Sequence, residues 1–232
     1  MKHSRHIGPA LSSSETLAGI IYLAIHLFVL PGILSWSNGL LKHPLTQTEI
    51  NFLFYLINFF AMLVVFHDFL GESGRQAFHH PIVLCEAVIL GLAGYYTCMF
   101  CIEHLITALC PGFSNYNDEA IYALSRGNSF LMLIGTVILV PPFEECMYRG
   151  LIFRNLYSKN RWLGYIISIL LFAVIHILGY IGKYSPLELL IAVLQYLPAG
   201  LCLAWSYTRA DTIFAPMLMH AVINYITIRG LR

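Results

Sequence analysis

The chain has 232 residues, 58% of them hydrophobic and 11% charged, with a mean hydropathy of +0.72. A soluble domain carries about a quarter charged residues, so this composition excludes a cytosolic enzyme and a disordered protein. The near balance of 13 Lys and Arg against 12 Asp and Glu excludes a nucleic-acid binder, which needs a strong basic excess. What remains is an integral membrane protein of several spans, each of about 20 residues.

Residues 1–16 are polar and basic, with Lys2, His3, Arg5 and His6. The apolar run Leu17–Leu34 is too long for the h-region of a signal peptide and lacks a small-residue cleavage site, so it reads as a retained first span. Further runs lie at about 50–70, 81–109, 129–157, 162–180, 187–208 and 212–228, separated by polar, Gly- or Pro-bearing links. That gives seven spans, or eight elements if the long 81–109 run conceals a break. The expected fold is all-α: one membrane domain over 1–232, a polytopic bundle of about 7–8 transmembrane helices with a buried polar site. There is no visible internal repeat, and the links leave no room for a soluble domain.

Lys and Arg in short loops set orientation. Lys2, Arg5, Arg75, Arg154, Lys159, Arg161 and Arg209 fall on one side, against Lys42, Arg126, Lys183, Arg229 and Arg232 on the other. The modest bias places the N-terminus in the cytoplasm of a multi-pass cell-membrane protein. The six cysteines lie mostly inside apolar runs and read as small hydrophobes. Cys98-x-x-Cys101 has redox spacing but no matching second pair.

Ionisable groups inside a bilayer are expensive and therefore mark function. The first such group is Pro141-Pro142-Phe143-Glu144-Glu145-Cys146-Met147-Tyr148-Arg149-Gly150. Glu145 and Arg149 are at i and i+4 with the acid first, a favourable helical pair. Glu144 points about 100° away and has no such partner, which suits a general base working near neutral pH. The Pro pair should kink the helix and free backbone carbonyls. The second group is Phe172-x-x-x-His176, and the third is His220-x-x-x-Asn224, whose side chains share one helix face. Either could instead be structural hydrogen-bonding between helices.

Depth separates these readings. At about 1.5 Å per residue, Glu144 and His176 both lie about 21 Å from the cytoplasmic helix ends, with His220 at roughly 13 Å and Asn224 at about 20 Å. Three helices bring their strongly polar residues to similar depths, so the constellation reads as one site. Two chemistries suit it. Glu144 with His176 can activate water while His220 and Asn224 stabilise an oxyanion; or Glu144, His176 and His220 can hold Zn²⁺ with a fourth position left for water. No His-Glu-x-x-His helix is present.

Glu144-Glu145-x-x-x-Arg149, Phe172-x-x-x-His176 and His220-x-x-x-Asn224 together resemble the CAAX protease and bacteriocin-processing (CPBP, or Abi) family of intramembrane endopeptidases. The stretch from Gly200-Leu201 through Pro216-Met217-Leu218-Met219-His220 is similar to that family's lead-in to its last motif. The resemblance covers about residues 129–228. It implies proteolysis of a membrane-associated peptide or protein tail inside the bilayer, with Glu144 and His176 activating water. His220 and Asn224 would stabilise the oxyanion, with Glu145 and Arg149 in support. The family is commonly filed under metalloproteases, whereas its eukaryotic relatives are argued to be glutamate-dependent without metal; the metal-free route is favoured here. The short chain looks bacterial, so a peptide pheromone, bacteriocin leader or other small membrane peptide is expected in place of a prenylated protein.

A non-enzymatic bacteriocin-immunity or scaffold protein would need no intact base, and the complete motif set argues against it. A small transporter would show inverted repeats and paired broken helices, and only one Pro-Pro break is present. Five further intramembrane polar residues, His26, Asn58, Glu86, Glu103 and His104, have no partner at recognisable spacing and are expected to be satisfied structurally.

Overall fold

A computed structural model describes residues 7–230, and among these it is all-helical. Nine helices follow one another: α1 Ser13–Gly39, α2 Gln47–Val65, α3 His67–His79, α4 Pro81–Leu109, α5 Tyr116–Gly127, α6 Ser129–Lys159, α7 Arg161–Tyr180, α8 Pro186–Ala210 and α9 Phe214–Gly230. Six of them (α1, α2, α4, α6, α7 and α8) are long and apolar enough to cross a membrane. The seventh expected span is α9, with 17 residues, at the short end of what crosses a bilayer. The long run 81–109 has no break; α4 is one continuous helix of 29 residues, so the eighth element does not arise there. The chain is a multi-pass membrane protein.

Local chemistry fixes several of the starts. Ser12-x-x-Glu15, Thr46-x-x-Glu49 and Ser185-x-x-Glu188 each form a reciprocal capping box, which satisfies amides that a helix N-terminus otherwise leaves orphaned. Pro81 and Pro186 sit at helix starts, where a missing N–H costs nothing. The two unexpected helices, α3 and α5, fill links that read as polar loops. Asn115 caps α5, its Oδ1 accepting from the amides of Asn117 and Asp118 at 3.0 and 3.3 Å.

The two polar helices lie at opposite ends of the bundle. At the end holding the N-terminus, Glu15 accepts from the Phe69 amide of α3 at 2.9 Å, Arg154 donates to the Ile7 carbonyl at 3.0 Å, and Gly8 donates its amide to Asp211. Thr212 donates to the Ser73 carbonyl of the same helix α3 at 2.8 Å. At the other end, Thr48 donates to the Leu124 carbonyl of α5 at 2.9 Å, and Tyr116 donates to Glu188 at 2.7 Å. Phe66, Phe69, Met147, Phe153, Tyr207 and Ile213 pack the core near the N-terminal end. A second cluster, including Tyr148, Phe172, Leu203 and Met219, surrounds the polar residues. Phe28, Val64 and Ile82 are each about 80% exposed, as apolar groups facing lipid would be.

Candidate active site

The site is built on a defect in α6. Within that helix, Gly135–Leu139 and Cys146–Phe153 form π-turns on either side of Val140–Glu145. The first has a direct cause. Pro141 and Pro142 bring no N–H to the ladder and crowd the preceding carbonyls, and the Val140 amide bonds the Gly135 carbonyl. A π-turn would direct residue 141 to the Thr136 carbonyl, but residue 141 is proline. That carbonyl is therefore orphaned, and Asn224 of α9 donates its Nδ2 to it at 2.8 Å. The Pro pair does free a backbone carbonyl, and one of the sequence-predicted site residues takes it. Thr136 had no signal of its own in the sequence beyond the two prolines downstream.

Behind the prolines, Glu145 and Arg149 are fully buried and paired, Arg149 Nε lying 3.2 Å from Glu145 Oε2 and Nη1 donating to Oε1 at 3.2 Å. Arg149 Nη2 approaches the Gly200 carbonyl at 3.4 Å, and the guanidinium lies 4.3 Å from the centre of the Phe172 ring. Gly200 is glycine for a packing reason: a Cβ there would sit 3.1 Å from the Ile169 Cα, so α7 and α8 could not approach as they do.

His220 stands between the two acids. Its Nδ1 is 2.8 Å from Glu145 Oε1, and its Nε2 is 3.9 Å from Glu144 Oε2. Glu145 thus holds both Arg149 and His220, a partnership across 75 positions of sequence that helix spacing does not reveal. His176 Nδ1 lies 2.7 Å from the Phe172 carbonyl and its ring stacks on Tyr196 at 4.4 Å. A carbonyl accepts only, so Nδ1 carries the proton there and the neutral ring leaves Nε2 as an acceptor.

Glu144, His176, His220 and Asn224 all line one cavity of about 230 Å³, while Glu145 and Arg149 stand behind its wall. Glu144 Oε2 is buried with no hydrogen-bond partner among the described residues. No three His, Cys, Asp or Glu side chains among those residues are placed to hold one metal ion. Glu144, His176 and His220 do not form such a group as arranged, although a His220 Nδ1 held by Glu145 is the orientation that would leave Nε2 free as a ligand.

The five residues expected to be satisfied structurally divide. His26 Nδ1 lies 2.8 Å from Asn58 Oδ1, Arg209 bonds Glu86 at 2.7 and 2.8 Å, and His104 meets the Phe100 carbonyl at 2.8 Å. Glu103 differs: it lines the same cavity as Glu144 and has no ion-pair partner among the described residues. Cys98 and Cys101 are free thiols, as are the other four cysteines.

Residues 126–226 match the family model for the Type II CAAX prenyl endopeptidase Rce1-like group. The chain is 28% identical over 183 residues to a Bacillus subtilis protein named "Putative membrane peptidase YdiL", covering 74% of this chain and 68% of that one. It is 26% identical over 142 residues to the UPF0177 protein YaiH of Lactococcus lactis, covering 61% and 53%, and 26% identical over 100 residues to the UPF0177 protein YbdI of the same organism, covering 43% and 49%. The chain thus spans about half the length of these two lactococcal relatives. No solved structure matches.

Proposed function

Taking residues 126–226 as an Rce1-like type II CAAX prenyl endopeptidase domain, we propose that this membrane protease hydrolyses a peptide bond of a membrane-associated peptide by glutamate-activated water. One observation carries the reading. Four side chains capable of acid–base work or hydrogen bonding, from three helices, share the wall of a single cavity that also holds the unpartnered oxygen of Glu144.

In this mechanism Glu144 takes a proton from water, which His176 Nε2 orients by accepting its other hydrogen. The hydroxide adds to the carbonyl carbon. His220, held through Nδ1 by Glu145, donates from Nε2 to the developing oxyanion when both ring nitrogens carry hydrogen, and the second amide hydrogen of Asn224 does the same. The C–N bond then breaks as Glu144 returns its proton to the leaving amine. Glu145 and Arg149 are positioning residues: they fix the ring of His220 and touch no reacting atom. No step is routed through a metal, because the three candidate ligands do not converge. Elemental analysis of purified active protein tests this; stoichiometric zinc, lost with activity on chelation and restored on re-addition, would make His176 and His220 ligands instead.

With the N-terminal end in the cytoplasm of a bacterial plasma membrane, the α5 end of the cavity faces outward, and the substrate is a small exported or membrane-retained peptide. Mass spectrometry of candidate membrane peptides incubated with wild-type and Glu144→Gln protein tests the activity. Cleavage by the wild type alone is expected, and identical product spectra from the two proteins would end the proposal.

A further inference from the structure

The cavity does not end at the groups assigned to catalysis. Its wall continues past Tyr55, Tyr95 and Tyr196 to Glu103 of α4 and Asp118 of α5. Asp118 is held there by the Asn115 cap, which binds its amide. Burial, and secondarily the nearby charge of Glu103, push the Asp118 carboxyl up to about 6.

Asp118 is half-buried and Glu103 exposed at the same cavity, and two carboxylates so placed suit a cation between them. Here the protein supplies none among the described residues: no ion pair involves Asp118 or Glu103. The basic residues of this end of the bundle are engaged elsewhere or exposed. Lys183 Nζ lies 6.0 Å from the centre of the Tyr180 ring, the Arg229 guanidinium lies 5.5 Å from that of Tyr225, and Lys42 and Arg126 are exposed. A metal cage is also not formed, for want of a third donor. The wall beside them carries Tyr95 and Tyr196 together with Met99, Asn117 and Gln195. Carboxylates flanked by tyrosine faces bind organic cations, since the ring quadrupole and the acid attract the same charge.

We propose that Asp118 and Glu103, with the Tyr95 ring, form a subsite that receives a lysine or arginine side chain of the peptide whose bond is cut at Glu144. This deepens the endopeptidase reading and rests on it for the identity of the ligand. Cavity size agrees with the assignment. A cavity of about 150 Å³ admits a benzene-sized guest, and about 230 Å³ leaves room for one extended side chain beside the reacting peptide group. Specificity for a basic residue at a fixed distance from the cut bond follows.

The test separates binding from cleavage. Leucine- and alanine-based peptides of about ten residues carry one lysine walked through successive positions, each matched by a norleucine version of the same length. Fluorescence anisotropy measures their affinity for the full-length Glu144→Gln protein in detergent, and mass spectrometry follows their cleavage by the wild type. At one or two positions lysine should bind about tenfold tighter than norleucine. Asp118→Asn in the Glu144→Gln background should erase that preference and leave norleucine affinity in place, and Asp118→Glu, which keeps the charge, should retain it. Equal affinity of lysine and norleucine peptides at every position overturns the subsite, and this comparison needs no Asp118 variant to fold. A lysine preference that survives in a folded Asp118→Asn protein overturns it too. Lysine preference without any cleavage by the wild type would leave the cation subsite standing and remove the endopeptidase reading; cleavage without the preference does the reverse.

Discussion

The helices outside the matched domain and those within it are built from the same apolar residues, yet they face different surroundings. Only 11% of the apolar window of α1 is buried inside the protein, and 17% in α2 and α4, against 50% in α6 and 44% in α8. An ion pair that joins the two regions and one wholly within the matched domain make the contrast concrete. Arg209 and Glu86 meet at 2.7 Å with side chains about 40% exposed, whereas Arg149 and Glu145 meet at 3.2 Å with none of either exposed. The shorter contact is the weaker one in consequence, because exposed pairs are solvated whether or not they are made. What distinguishes the inner pair is that its charges are shut away from solvent and have only protein groups around them.

The sharpest way to break this comparison is at Glu144, whose buried Oε2 has no hydrogen-bond partner among the described residues. Glu144→Gln keeps shape and hydrogen-bonding capacity but cannot accept a proton. A general base contributes about 10²–10⁴-fold, so peptidase activity should fall by that factor while the melting temperature holds. The outer counterpart, Glu86→Gln, should leave activity within about twofold, as expected of an exposed pair. Comparable losses in both variants would mean that the inner site is not the reaction centre.

The two arginines give the next largest difference. Arg149→Ala leaves Glu145 buried beside His220 with its cation gone, and breaking a buried pair costs about 3–5 kcal/mol. Glu145→Gln in the same chain should recover part of this, since the amide oxygen can still accept from His220. Arg209→Ala should cost under about 1 kcal/mol. Denaturation of the purified variants measures both; equal destabilisation, or a strictly additive Arg149–Glu145 cycle, would dissolve the distinction.

A smaller effect isolates the proline defect. Asn224→Ala leaves the Thr136 carbonyl without the donor seen at 2.8 Å, and an unmade buried hydrogen bond costs about 1–3 kcal/mol. Adding Pro141→Ala restores an amide at the position that a π-turn directs to residue 136. Stability should recover in the double variant and activity should not. If the second substitution left the melting temperature of Asn224→Ala unchanged, the orphaned carbonyl would not be the cause.

These contacts mark where sequence reading stops. The bundle was legible because apolar runs of span length, separated by polar links, repeat along the chain. The pairing of Glu145 with Arg149 was legible because one helix turn relates them. Contacts between helices have no such ruler. Glu145 reaches His220 across 75 positions, Asn58 reaches His26 across 32, and Arg209 reaches Glu86 across 123. The helices α3 and α5 escaped notice for another reason: they are polar, short and placed at the bundle ends, where neither span length nor an apolar face announces them. The placement of Glu103 on the rim of the cavity depends on how α4 packs against distant helices, and no spacing within α4 reveals it.

The smallest effect concerns α5, a polar helix outside the matched domain that reaches the inner cavity through Asp118. Asp118 titrates at about 6 in the folded protein against an ordinary value of 3.8. At about pH 3 and below, under the ordinary value of 3.8, the carboxyl is largely protonated in folded and unfolded chains alike, and its charge costs little. Between that point and about pH 6 the unfolded chain releases the proton that the folded one keeps, so stability falls as pH rises through this window. Above about pH 6 the cost is fully present. Asp118→Asn carries no charge at any pH, so it should be the more stable protein at about pH 7.5 and close to wild type near pH 3. Because Asp118 is only half-buried, solvent screens much of the cost. About 1 kcal/mol, or a melting-temperature rise of about 2–4 °C in a chain of this size, is the expected gain. A rise of the same size at both pH values would mean that packing accounts for it. A fall at about pH 7.5 would mean that the carboxylate already has a cationic partner. The expected gain would make Asp118 an outer residue kept at a cost in stability, and the cavity it faces gives the reason for keeping it.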